Sequence, residues 1–140
     1  MKAISRVPII AIMLCLLFTG CEFEVTTANI SDVKLCARLT GDICSEDNPV
    51  FSPNESQFYV SCELKNAPEN TYVTFVWKYV EGSPIVIDEV TLNSSHYGIN
   101  VNLKSSLSRP NNGWPTGKYE VVIMVGKNDK APHVKTFEVR

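Results

Sequence analysis

The sequence predicts an all-β protein, an antiparallel β-sandwich of about seven strands arranged in two sheets. From residue 30 onward, short runs alternate apolar and polar side chains, as strands with one buried face do. Clusters of Gly, Pro, Asn and Asp separate these runs at the spacing expected of turns. Beyond residue 21, no segment repeats its apolar residues with the 3.6-residue period of a helix.

Seven segments carry the strand pattern, and one of them is irregular. The predicted strands are 30–36, 57–65, 71–80, 85–92, 99–104, 119–125 and 133–139. The alternation in 57–65 places Phe58, Val60, Cys62 and Leu64 on one buried face. In 85–92 the apolar residues do not keep one parity, which is typical of an edge strand or a β-bulge. The polar stretch from Ser105 to Gly117 is predicted as a long loop.

Two sequence features resemble immunoglobulin-like domains. Trp77 lies midway along the third predicted strand, where such domains bury a tryptophan between their sheets. The segment Gly117-Lys118-Tyr119-Glu120-Val121 resembles the start of their penultimate strand, which implies that the Tyr119 hydroxyl bonds back to nearby backbone. The resemblance covers residues 30–140. The disulfide that joins the two sheets of antibody domains has no counterpart, because the strand expected to face Cys62 offers valine and isoleucine instead.

The first 20 residues have the pattern of an export signal. Lys2 and Arg6 give a positive start, and residues 9–18 form an unbroken apolar run. This run is about half of the roughly 20 residues that a helix needs to cross a bilayer. A short apolar run behind positive charge is typical of a removable signal peptide rather than a membrane anchor.

The signal ends in a motif that resembles the lipobox of bacterial lipoproteins, Leu17-Phe18-Thr19-Gly20-Cys21. The resemblance implies that residues 1–20 are removed, that Cys21 carries lipid, and that residues 21–29 form a tether. Several acyl chains on one cysteine would anchor the protein stably, since a single chain binds membranes only marginally. Glu22 follows the cysteine where enteric lipoproteins retained in the inner membrane have aspartate. We therefore expect a lipid-anchored protein of the bacterial cell envelope, in the outer membrane.

The charge of the mature chain argues against nucleic-acid binding. Removal of the signal would leave 11 basic residues against 15 acidic ones, a net charge of about −4. No basic stripe is present to neutralise phosphates. An acidic domain is also repelled by anionic headgroups, so membrane attachment is expected through the lipid on Cys21.

Three cysteines would remain in an oxidising compartment after export, and they cannot all pair. Cys36 and Cys44 flank a short polar turn, and we expect the disulfide between them. A pairing of either one with Cys62 stays open, because connectivity cannot be read securely from sequence. Cys62 is otherwise a small buried apolar residue. The spacing lacks the close pairs of zinc sites, so no metal is predicted.

Catalytic signatures are sparse, and we expect no enzyme and no cofactor. His96 lies in a predicted turn and His133 at the start of the last strand. No Gly-x-Ser-x-Gly motif is present to hold a nucleophilic serine. The acidic residues Asp42, Glu46 and Asp47 lack the alternating acids and closing glutamate of a calcium loop, so a solvated acidic loop is predicted.

The predicted long loop is the candidate binding surface, through Arg109, Asn111, Asn112 and Trp114. An exposed tryptophan beside an arginine has the composition of an interaction hot spot. The alternative is that Trp114 closes one end of the core, since tryptophan is highly buried on average.

The sequence thus favours a lipid-anchored, non-catalytic binding module for a protein or glycan of the envelope. An alternative is a structural or assembly accessory, a pilot-like lipoprotein of a larger envelope complex. Exposure of Trp114 would favour specific recognition through the loop, whereas its burial would leave the sheet faces and edges.

Overall fold

The computed structural model describes residues 27–94, 100–127, 129 and 131–140, which form eight strands. They are β1 (Asn29–Cys36), β2 (Val50–Phe51), β3 (Gln57–Lys65), β4 (Tyr72–Tyr79), β5 (Ile85–Asn93), β6 (Val101–Ser108), β7 (Gly117–Val125) and β8 (His133–Val139). Among the described residues, no helix has the length and apolar character needed to span a membrane.

The strands form two sheets. One has three strands in the order β1-β3-β6, and the other has five in the order β2-β8-β7-β4-β5. Neighbours are antiparallel except β2 and β8, which pair in parallel through Val50–Glu138 and Phe51–Val139. The predicted all-β, two-sheet architecture is confirmed.

Two details differ from the sequence prediction. The two-residue strand β2 was not predicted, because so short a segment has no periodicity to read. The sixth strand also runs on to Ser108, so the predicted loop beginning at Ser105 was wrong at its start. Ser105 and Leu107 are buried and face the core, and the serine is accommodated there because it receives a hydrogen bond from Trp77.

The core lies between the sheets and is rich in aromatic rings. Trp77 and Tyr119 are the largest fully buried side chains. At one end, Phe58 stacks on Trp114 with ring centroids 4.0 Å apart, and Phe137 stacks on Tyr119 at 5.2 Å. Offset ring contacts of this kind add to the stabilisation that burial itself provides.

A cross-linked loop covers the outer face of the three-stranded sheet. Residues 37–49 connect β1 to β2, and Cys36 is joined to Cys44 by the predicted disulfide, which is confirmed. The Cys44 backbone N–H donates to the Ser61 hydroxyl at 2.8 Å. Ser61 is therefore buried although it lies on the face of β3 away from the core. No described segment covers the β5 edge of the other sheet in this way.

Candidate functional site

The candidate site is β5, the outer strand of the five-stranded sheet. It has nine residues, and among the described residues it pairs with β4 on one side only. The other end of the same sheet is formed by β2, which has two residues. Unpaired backbone on a long edge strand can accept a further strand, and most proteins shorten or cover such edges. The irregular pattern of 85–92 predicts an edge strand or a bulge, and β5 has both features.

Three consecutive apolar side chains at the start of β5 are open to solvent. Ile85 is 59% exposed, Val86 55% and Ile87 40%. Single exposed apolar residues are common, but a run of three in one exposed strand is unusual unless it has a function. The core contacts of β5 are made further along, where Leu92 packs against the buried cluster. The three residues are therefore not needed to fill the core.

A bulge explains why these residues do not alternate. Trp77 of β4 pairs with Asp88, whereas Lys78 pairs with Val86, so Ile87 is an additional residue in β5. A bulge twists the strand and redirects the side chains beside it. Ile85, Val86 and Ile87 consequently all reach solvent although they are consecutive.

The hydrogen-bond pattern shows which backbone groups of β5 face the open side. The Ser94 N–H donates to the Thr71 carbonyl at 2.7 Å, which marks a hydrogen-bonded pair of the antiparallel ladder. Such pairs alternate along the strands. Leu92 and Val90 thus bond to β4, whereas Thr91 and Glu89 direct their backbone N–H and C=O groups away from it.

The open edge is acidic. Asp88 and Glu89 are exposed, and β5 contains no lysine or arginine. The nearest cation on β4, Lys78, pairs with Glu120 at 3.9 Å on the other side of β4. The Glu89 N–H, which faces the open side, donates to the Asp88 carboxylate at 2.9 Å. One donor of the edge is thereby occupied within the strand itself.

The loop singled out by the sequence does not expose its tryptophan. Trp114 is only 6% exposed, and its indole N–H donates to the Glu55 carbonyl at 2.5 Å. It closes one end of the core, in agreement with the second of the two interpretations. Arg109 donates to the Asn54 carbonyl at 3.2 Å. Asn111 and Asn112 are exposed beside it.

The two residues that carry the immunoglobulin resemblance lie in the core. The indole N–H of the fully buried Trp77 donates to the Ser105 hydroxyl at 2.9 Å, a hydrogen bond between the two sheets. The Tyr119 hydroxyl donates to the Pro115 carbonyl at 2.5 Å, four residues back along the chain. Burial, together with the neighbouring Tyr79, raises the pKa of Tyr119 to about 12.

Cys62 is a free, buried cysteine on the core face of β3. Burial raises the pKa of its thiol to about 12, because the thiolate would lose its hydration. A thiolate is the reactive form of cysteine, so this thiol is inert at neutral pH.

The other titratable residues considered in the sequence lie apart. Asp42 pairs with Lys104 at 2.7 Å, whereas Asp47 pairs with Lys135 and also accepts the Leu35 N–H. His133 is exposed at the start of β8. Over the described residues, no three His, Cys, Asp or Glu side chains come together as metal ligands. Cys21 and His96 lie outside the described residues.

Comparisons with known proteins assign neither a family nor a function to the chain. No family model matches the chain, and no curated protein matches it. Among solved structures, a β-glucosidase from Erythrobacter marinus matches at 11% sequence identity and a TM-score of 0.46. The match covers 82% of this chain and 16% of that protein, so the chain spans a small part of the enzyme's length. At this level the likeness says nothing about what the chain does.

The irregularity of β5 is visible in the sequence, but its exposure is not. The sequence indicates the irregularity through the run Ile85-Val86-Ile87. Three consecutive apolar side chains cannot all lie on one buried face, because the side chains of a strand alternate between its two faces. Its exposure depends on which strands flank it, and that information comes only from the sheet order.

Proposed function

We propose that this chain is a lipid-anchored protein of the bacterial cell envelope whose immunoglobulin-like sandwich binds a partner protein and catalyses no reaction. The observation that carries the binding function is the exposed apolar run at the open edge of β5. The lipobox-like sequence ending at Cys21 supports the anchor and the location.

The immunoglobulin-like class is supported by the arrangement of strands and by two core residues. Three strands face five, and the first and third strands lie together in the smaller sheet. Trp77 packs between the sheets, and the Tyr119 hydroxyl bonds back to the chain before its strand. Both features are typical of such domains. The hydrogen bond from Trp77 of β4 to Ser105 of β6 links the two sheets.

A protein partner fits the candidate site better than a glycan. Sugars are commonly held against exposed aromatic rings, whereas the exposed apolar run of β5 is aliphatic. The exposed Tyr72 lies opposite Asn93, at the other end of β5. An open strand edge instead offers backbone donors and acceptors that match those of another polypeptide. The exposed aliphatic side chains beside it would be covered by such a partner.

The anchor is tested by replacing the lipidated cysteine. We expect Cys21→Ala to release the protein from membranes, since the described residues contain no spanning helix. Cells are fractionated, and the membranes are washed with high salt before detection of the protein. Cys15→Ala, which changes a cysteine of the signal outside the lipobox-like motif, is the matched control and should stay attached. Membrane retention of the Cys21→Ala protein after the wash would contradict the lipoprotein assignment.

The binding function is tested in intact cells with the anchor retained. Chemical crosslinking followed by purification of the full lipidated chain should recover a reproducible protein adduct. Trp77→Ala, which we expect to unfold the domain, is the control for crosslinks that any unfolded chain would form. A native protein that yields no adduct, or only those of the Trp77→Ala protein, would contradict a binding function.

A further inference from the structure

We propose that the β5 edge binds an extended, cationic segment of the partner protein by strand addition. The segment would carry apolar residues against Ile85–Ile87 and lysine or arginine opposite Glu89. This assignment rests on the proposed binding function and specifies its site and the chemistry of the partner.

The backbone of β5 supports strand addition. Thr91 directs its N–H and C=O away from β4, and Glu89 directs its C=O the same way. An added strand can pair with these groups without disturbing the ladder between β4 and β5. The Glu89 N–H is already engaged by the Asp88 carboxylate. An incoming strand would displace that carboxylate and take its place.

The negative charge of Glu89 determines which kind of strand can pair with β5. If a second copy paired antiparallel along the whole of β5, the two-fold axis would pass through Glu89, and the two Glu89 carboxylates would face each other. Like charges directly opposite each other destabilise a strand pair. A partner strand with lysine or arginine at that position gains an attractive pair instead. The edge therefore disfavours self-association and favours a cationic partner.

The test uses the full lipidated chain in detergent micelles and two nine-residue peptides, which match the length of β5. One peptide alternates valine and lysine, and the other alternates valine and glutamate. We expect the lysine peptide to bind at least about tenfold more tightly than the glutamate peptide, by fluorescence anisotropy at low salt. Glu89→Lys should reverse this preference. Glu46→Lys, the same charge change in the loop over the other sheet, should leave it unchanged.

A second pair of variants separates strand addition from simple charge attraction. Thr91→Pro removes an outward N–H without removing a backbone hydrogen bond to β4, and proline is tolerated on an edge strand in this orientation. It should weaken binding of the lysine peptide at least about tenfold. Thr91→Val loses the hydroxyl that bonds Thr74 but keeps the N–H, so it should bind normally. If Thr91→Pro lowers the melting temperature by more than a few degrees, the native protein is tested instead with the lysine peptide N-methylated at alternate residues. That peptide keeps its charge but cannot pair as a strand, so it should bind at least about tenfold less tightly.

Three results would overturn the proposal. They are equal binding of the two peptides, unchanged binding by a folded Thr91→Pro protein, and a dimer or vesicle complex that forms through β5. Sedimentation without peptide detects a dimer. Flotation of the Cys21→Ala protein with phosphatidylcholine vesicles detects membrane binding. If crosslinked partners are recovered from cells but neither peptide binds, the binding function stands and this edge is not its site.

Discussion

β4 and β5 lie side by side in one sheet, and both are rich in apolar residues, yet they have opposite surroundings. In β4, Val73, Phe75 and Trp77 are completely buried. In β5, Ile85 and Val86 are more than half exposed. The strands share a ladder of hydrogen bonds, so the difference arises from position in the sheet and from the bulge at Ile87, and not from composition.

This difference separates residues that stabilise the domain from residues that are free to contact something else. Truncation in β4 should leave a cavity and lower the free energy of unfolding. Truncation at the exposed start of β5 removes little buried area, so it should affect binding rather than stability. Four changes test this separation.

The largest expected effect is that of Trp77→Ala. Truncation of a buried tryptophan costs about 3–5 kcal/mol, which approaches the total stability of a small domain. Thermal and urea unfolding of a soluble form beginning at Glu22 measure the loss. A shift of only a few degrees would mean that β4 does not supply the centre of the core, and the contrast with β5 would fail.

The next largest effect is expected for the disulfide in the loop over the three-stranded sheet. Replacing Cys36 and Cys44 together by serine opens a short cross-linked loop, and the chain-entropy relation gives a cost of about 2.5 kcal/mol. The native protein should show no reactive thiol at neutral pH, because Cys62 is buried and its pKa is raised to about 12. Unfolding without reductant should expose one thiol. A crosslinked peptide that contains Cys62 would contradict the observed connectivity.

An intermediate effect is expected where β4 bonds to the opposite sheet. Ser105→Ala leaves the Trp77 indole N–H buried without its acceptor, at a cost of about 2 kcal/mol. Ser106→Ala, at the exposed position next to it, is the matched control and should cost less than about 0.5 kcal/mol. Equal effects of the two changes in urea unfolding would show that the hydrogen bond between the sheets contributes nothing.

The smallest effect is expected on β5 itself. Val86→Thr should change the free energy of unfolding by less than about 0.5 kcal/mol, because the side chain is 55% exposed. Val76→Thr makes the same change on β4, where the side chain is 7% exposed, and should cost about 1–2 kcal/mol. If Val86→Thr proves the more costly, the exposed run has a role in stability that its surroundings do not explain.

Most strands could be predicted from the sequence, because alternation and turn residues are local signals. The strand 57–65 is predicted with its observed bounds. The parity of 85–92 predicts an edge strand or a bulge without deciding between them. The position of Trp114 could not be predicted in this way. The composition of its loop is compatible both with an exposed binding surface and with a tryptophan that closes one end of the core. Its burial depends on stacking against Phe58, which lies on another strand.

The candidate site could be predicted only in part for the same reason. An edge is defined by the absence of a neighbouring strand, and the order of strands is set by contacts between distant segments. The parallel pair of β2 with β8 and the bond from Trp77 to Ser105 likewise join residues far apart in the chain. No local pattern in the sequence encodes them.

The disulfide between Cys36 and Cys44 also determines how the domain would carry mechanical load. If the chain is anchored at Cys21 and a partner pulls on β5, tension enters the sandwich through the first residues of β1. Once β1 peels from β3 as far as Cys36, the force passes through the sulfur atoms to Cys44 and bypasses residues 37–43. That segment cannot lengthen under tension, so the covalent link keeps the tether short and the sandwich close to its anchor.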